Sequence, residues 1–246
     1  MLVPGDSAGG AQEGRPQIKL LEARFDNDVH VMLVTGHGEK FFCAGANINM
    51  LREADSAFKY YFCLHANETL QRLEQTPKLT IAALNGHTVG GGLEIALACD
   101  MRIARAGNFQ IGLPEVALGV LPGTGGTQRL TRLLGKARAL EMMVEGTKLG
   151  FAEAAQIGLV NKVWEAASQD EWARMIKEYA HSLCPPNSPS FAIGRIKRAV
   201  QSGGEMSLEL GLAFERELQA ELFASNDAKE GLSAYAQKKK PQFRAR

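Results

Sequence analysis

The sequence predicts a layered α/β core followed by a helical C-terminal third, and two observations carry that prediction. Residues 29–35 (VHVMLVT) and 79–84 (LTIAAL) are almost continuously apolar and rich in β-branched side chains, the pattern of strands buried on both faces. A segment of helical spacing lies between them, and beyond Gln128 nearly every patterned segment is helical. Strands alternating with helices build layered cores.

Taken in order, residues 1–14 are rich in Gly, Ser, Ala and Pro without an apolar period and read as an irregular arm. Residues 16–25 read as a short helix with Ile18, Leu20, Leu21 and Ala23 on part of its surface. The first strand, 29–35, ends in a turn at 36–39. Residues 57–75 place Phe58, Phe62, His65, Leu70 and Leu73 near helical spacing, and Pro77 closes that helix. The second strand, 79–84, is followed by an Asn85-Gly86 turn. Helix formers at 93–98 come after three glycines, and 101–104 and 108–111 read as short strands. The helical part comprises 128–134, 137–144, 151–157, 170–183, 190–201 and 208–222.

With 246 residues, the chain suits one large domain or two small ones. Lys plus Arg total 28 against 27 for Asp plus Glu, a net charge of +1 that calls for no nucleic-acid partner. No apolar run is long enough to span a bilayer, and the first residues carry neither a basic nor an apolar signal region. The expectation is a cytoplasmic protein without membrane association. Cys43, Cys63, Cys99 and Cys184 show no metal-ligand spacing and read as buried free thiols in a reducing compartment. The five histidines form no HxxxH or HxH, so no metal site is expected. No serine lies in a GxSxG elbow, and Lys238–Lys240 read as a solvated charge run.

Three glycine-containing clusters remain: Phe42-Cys43-Ala44-Gly45-Ala46-Asn47-Ile48, then Gly86-His87-Thr88-Val89-Gly90-Gly91-Gly92-Leu93-Glu94, and Gly112-Leu113-Pro114-Glu115 with its continuation to Thr127. The first two follow buried strands and lead into helices, where backbone N–H groups are left without intrahelical partners. Ala46 and Gly91 offer such donors with little bulk, a pair able to hold a developing oxyanion. The competing reading is two tight turns with close helix–strand packing. Neither cluster has the spacing of a phosphate loop.

Glu94 stands in the apolar stretch LEIALA, where a carboxylate needs partners. Together with Glu115 it can divide general acid and general base work. Alternatively, Glu94 serves the helix dipole and Glu115 is exposed. Thr124 or Thr127 reads as the N-cap of the following helix.

These clusters, in this order, resemble the crotonase (enoyl-CoA hydratase/isomerase) family. FCAGANI resembles that family's first oxyanion segment, NGHTVGGGLEIALACDMRIA its second, and IGLPEVALGVLPGTGGTQRLTRLLG the segment carrying its second glutamate. The likeness continues through GFAEAAQIGLVNKVW to AKEGLSAYAQKKKPQF. It implies a spiral of ββα units over residues 15–190 and a helical trimerisation region over 191–246. It also implies a first hairpin missing or altered where the arm stands, only Arg15-Pro16 resembling the family's opening.

The resemblance further implies hydration of trans-2-enoyl-CoA to 3-hydroxyacyl-CoA by a hydro-lyase. Ala46 and Gly91 would grip the thioester oxygen, and Glu94 and Glu115 would share one water. Ala44, Asn47, Ile48, Asn49, Gly92, Pro114 and Leu118 would line the substrate, and residues 55–64 the acyl pocket. Asn47 stands where the family often has an acidic residue. No cofactor is implied, because CoA is part of the acyl-CoA thioester substrate. The partner is a second copy of the chain, in a homotrimer or a dimer of trimers. The alternatives are an enoyl-CoA isomerase, another acyl-CoA reaction of the family, or a non-catalytic binding protein.

Overall fold

The computed structural model describes residues 16–245, so the arm at 1–14, Arg15 and the expectation of a first hairpin missing or altered lie outside the described residues. In chain order the elements are α1 (Pro16–Phe25), β1 (Val31–Thr35), β2 (Phe41–Cys43), α2 (Ile48–Glu53), α3 (Ser56–Glu74), β3 (Leu79–Leu84), β4 (His87–Val89) and α4 (Gly91–Leu97). Then come β5 (Met101–Arg105), β6 (Gln110–Gly112), a 3-10 turn (Glu115–Leu118), α5 (Gly126–Leu134), α6 (Lys136–Glu145), β7 (Lys148–Gly150), α7 (Phe151–Gln156) and β8 (Lys162–Trp164). The last helices are α8 (Gln169–Ser182), α9 (Ser190–Gly203), α10 (Leu208–Phe223) and α11 (Asn226–Ala236). Two compact units result: one holds 16–22, 33–74 and 80–173, the other 23–32, 75–79 and 174–245.

The described strands form two four-stranded sheets, ordered β1-β3-β5-β8 and β2-β4-β6-β7. Each longer strand of the first sheet is followed at once by a three-residue strand of the second, and then by helix. β1–β2, β3–β4 and β5–β6 repeat that step, the ββα spiral expected from the resemblance. β3 is the most deeply buried strand, with Ile81, Ala82, Ala83 and Leu84 fully enclosed, as a strand covered on both faces must be. β2, β4 and β6 pair parallel, whereas β7 joins β6 antiparallel. Parallel pairing sets the C-terminal ends of β2, β4 and β6 side by side.

Asn85 fixes the turns that feed these short strands. Its side chain, fully buried, accepts from Gly36 N at 2.9 Å and donates to Gly38 O at 2.7 Å. Thus the β3–β4 turn is tied to the β1–β2 turn. Gly86 is required beside it, since a Cβ there would lie 2.4 Å from Lys40 O. The buried Arg102 guanidinium donates to Ala96 O and Cys99 O, satisfying carbonyls at the end of α4, and to Leu159 O beyond α7.

In the second unit, α9 and α10 form an antiparallel hairpin. Arg195 pairs with Glu221, Arg198 lies over Phe214, and Gly203 meets Gly211 near the turn. Buried Asp227 of α11 accepts from Arg244 N and Ala245 N, tying the C-terminal tail back onto that helix. No helix among the described residues is long and apolar enough to cross a membrane. All four cysteines are free, but only Cys99 is buried, so the expected burial of the others is corrected to partial.

Candidate active site

Three parallel strand ends deliver the predicted residues to one place. Beyond β2 the chain runs Ala44-Gly45-Ala46 into α2. Beyond β4 it runs Gly90-Gly91 into α4, and beyond β6 it runs Leu113-Pro114-Glu115. Gly90 N donates to Gly112 O at 3.0 Å, so the second and third exits are joined by the backbone. Among the described residues, neither Ala46 N–H nor Gly91 N–H donates to a protein acceptor. The two groups are neighbours: a Cβ built on Gly91 would lie 3.9 Å from Ala46 N and 3.8 Å from Glu94 Oε2. The site thus opens at the carboxyl ends of parallel strands, where open α/β sheets commonly bind ligands.

The two glutamates stand in opposite environments. Glu94 is 3% exposed, and each of its carboxylate oxygens has a donor. Oε1 accepts from Thr124 N and Gly126 N, each at 2.8 Å, and Oε2 accepts from the Thr124 hydroxyl. The two backbone N–H donors take up both lone-pair directions of Oε1. Glu115 has no such cradle: its buried Oε2 lacks a protein partner, and Oε1 lies 3.2 Å from where a Cβ on Gly90 would sit. Burial, the largest cause, pushes the Glu115 carboxyl above its ordinary value, and the Glu94 charge adds to that. Lys59 on α3 and a hydrogen bond from its own backbone pull the other way.

Asn47 is the N-cap of α2, its side chain accepting from Asn49 N at 2.9 Å and Met50 N at 3.4 Å. An Asn performs that task as well as an Asp would. Ala44, Ile48, Asn49 and Leu118 are exposed around the same strand ends. Pro114 precedes the 3-10 turn that presents Glu115. At Gly92 the structure shows a packing requirement, since a Cβ there would lie 2.1 Å from Cys43 O. From the proposed acyl segment, Phe58, Tyr60, Tyr61 and Leu64 are exposed on α3, and Cys63 Sγ approaches Gly123.

At the site, the expected helix cap is overturned. The N-cap of α5 is Gly125, with φ +115° and no capping side chain, not Thr124 or Thr127. Helix start and Glu94 compete for the Thr124 hydroxyl, and the buried carboxylate takes it, because its hydrogen bond is charge-assisted. The GTGG tetrad signalled a turn but gave no sign of which acceptor the hydroxyl would find. Gly126 was also missed: a Cβ there would meet Glu94 Oε1 at 3.0 Å.

Residues 17–246 match the family described as enoyl-CoA hydratase/isomerase. A short-chain-enoyl-CoA hydratase of Clostridium acetobutylicum is 40% identical over 219 residues, covering 89% of this chain and 82% of the relative. A 2,3-dehydroadipyl-CoA hydratase of Escherichia coli is 38% identical over 232 residues, covering 93% and 86%. Among solved structures, an enoyl-CoA hydratase of Geobacillus kaustophilus superimposes with a TM-score of 0.88 at 49% identity, covering 94% of this chain and 85% of that one. The chain therefore belongs to the enoyl-CoA hydratase/isomerase family, with the crotonase fold, and is an enzyme of that family.

Proposed function

We propose that the chain hydrates trans-2-enoyl-CoA thioesters to 3-hydroxyacyl-CoA, with Glu94 as base and Glu115 as acid. The observation that carries this reading is the contrast between a carboxylate held by three donors and a desolvated carboxyl with a free oxygen, beside two unpartnered N–H groups. The thioester oxygen accepts from Ala46 N–H and Gly91 N–H, which draws electron density from C3. Glu94 removes a proton from water as its oxygen bonds to C3, and Glu115 delivers its proton to C2 as the enolate collapses. The hydratase names of the relatives support the substrate class. Retention of both glutamates favours hydration over a one-base isomerisation.

The reaction uses no cofactor in this reading, CoA being carried by the substrate. A cytoplasmic setting and a homotrimer or dimer of trimers remain part of the proposal. The exposed Ile196, Val200, Leu208 and Leu210 of α9 and α10 support an assembly, which light scattering tests. The activity is tested by loss of the conjugated absorbance of crotonyl-CoA with wild type, Glu94→Gln and Glu115→Gln. Turnover by wild type, with both variants lowered by roughly 10²–10⁴ in kcat, is expected for loss of general acid–base groups. Inert wild type on this and longer enoyl thioesters would overturn the reading.

A further inference from the structure

The loop between the 3-10 turn and α5 holds Glu94 in an asymmetric way. Backbone N–H groups of Thr124 and Gly126 bind Oε1, and any residue but proline at position 124 would supply the first of them. Among the described residues, only the side chain at 124 donates to Oε2. Oε2 is the oxygen turned toward Gly91, and so toward the proposed oxyanion donors. In the proposed reaction it is the oxygen left to accept a proton from water, since Oε1 is enclosed by two donors.

A carboxylate oxygen has two in-plane lone-pair directions. The Thr124 hydroxyl occupies one, leaving the other for water. It also removes the rotation about the terminal torsion that two donors on one oxygen would permit, since such sp³–sp² torsions are broad. Thr124 is half-buried and anchored by its neighbours. Gly125 takes a left-handed φ of +115°, and the Arg129 guanidinium lies where a Cβ on Gly125 would be. The hydroxyl therefore starts from a fixed backbone, the condition under which a hydrogen bond positions a catalytic group.

We infer that Thr124 is a positioning residue, whose hydroxyl fixes Oε2 of Glu94 and selects the direction from which water is accepted. This rests on the reading of Glu94 as the base. A group that acts through orientation affects the chemical step and leaves binding of the thioester nearly unchanged.

The test separates the hydroxyl from the shape of the side chain. Thr124→Val keeps the branching and loses the donor, whereas Thr124→Ser keeps the donor and loses the methyl; Thr124→Ala serves if the valine variant does not fold. The assay is steady-state hydration of crotonyl-CoA, with binding of the unreactive saturated thioester butyryl-CoA measured beside it. The expected result is a kcat about 10–100-fold lower for Thr124→Val, the range for one hydrogen bond to a charged group. KM and butyryl-CoA affinity should stay within about twofold, and Thr124→Ser should restore kcat to near wild type.

Full activity of Thr124→Val with a crippled Glu94→Gln would overturn the inference while sparing the reading of Glu94. An impaired Thr124→Ser beside an unimpaired Thr124→Val would overturn it too, because the methyl and not the hydroxyl would matter. Full activity of Glu94→Gln would sink the reading of the base, and the inference with it.

Discussion

Gly45 approaches Gly91 so closely that a Cβ on Gly45 would lie 3.1 Å from the Gly91 nitrogen. That nitrogen carries one of the two N–H groups proposed to grip the thioester oxygen. Gly45 also adopts φ +90°, a conformation that L side chains rarely enter. The glycine therefore meets two requirements, one of backbone shape and one of open space before the donor.

Gly45→Ala is expected to lower kcat/KM by about 10²–10³, the cost of losing an oxyanion donor. Gly38→Ala is the control. Gly38 has φ +69°, but a Cβ there would meet nothing within 4 Å. Its alanine variant should lose stability, by about 1–2 kcal/mol, and keep its activity. Equal activity in both variants would show that the approach of Gly45 to Gly91 is irrelevant to the reaction.

Glu115 makes stability depend on pH. Burial, and then the Glu94 charge, hold its folded-state pKa above the unfolded one. Stability from its proton is fully present below the unfolded pKa and is lost as pH rises through the folded pKa. Glu115→Gln removes that loss. Melts from about pH 4 to about pH 8 should show wild type falling relative to the variant, which becomes the more stable chain at the upper end. A gap that does not change with pH would contradict the environment described for Glu115. The same carboxyl must be protonated to act as the acid, so activity should fall on the alkaline side.

How much of this was legible in the sequence follows from the length of the signals. β1 and β3 were legible because five- and six-residue runs of β-branched and apolar side chains exceed what a turn can hold. β2, β4, β7 and β8 each have three residues, too few to show a period, and exist because a neighbour pairs with them. Glu94 announced itself as a carboxylate among Leu, Ile and Ala. Thr124 did not, since a threonine after glycine and before a helix has a satisfactory local explanation as a cap. Tertiary contact decided against that explanation, and only the structure brings residues 94 and 124 together. α11 is not legible from its own residues, with Gly231 interrupting its helix formers, and only the resemblance puts it in a helical region.

Asp227 predicts a link between the tail and α11. Its two oxygens accept from Arg244 N at 2.7 Å and Ala245 N at 2.8 Å, and the residue is 5% exposed. Asp227→Ala leaves both N–H groups without their acceptor and should destabilise by about 1–3 kcal/mol. Hydrogen exchange should then speed up at residues 242–245. Unchanged exchange there would mean that the tail is held by other contacts, such as Phe243 against Gly231.

Arg129 couples α3 to the loop that holds the proposed base. Its Nη2 lies 2.8 Å from Glu74 Oε2, and Nε reaches both Glu74 oxygens at 3.2 Å. Nη1 donates to Thr124 O at 3.5 Å. The Arg129 side chain is 14% exposed and that of Glu74 33%, so the pair is only partly screened by water. Arg129→Met leaves Glu74 half-buried without its cation, and should lower stability by about 1–2 kcal/mol, or roughly 2–8 °C in Tm. Glu74→Gln should cost less, because the amide oxygen at position 74 still accepts a hydrogen bond from the Arg129 guanidinium. The double variant should be less destabilised than the two singles summed, since the second change removes a partner already lost. Arg129→Met should lower kcat as well, by loosening the backbone that carries Thr124 N–H to Glu94, whereas Glu74→Gln keeps the contact to Thr124 O and should retain most activity. Additive stabilities would show that Arg129 and Glu74 act independently. A Glu74→Gln variant as slow as Arg129→Met would show that the ion pair, and not the contact with the loop, supports the site.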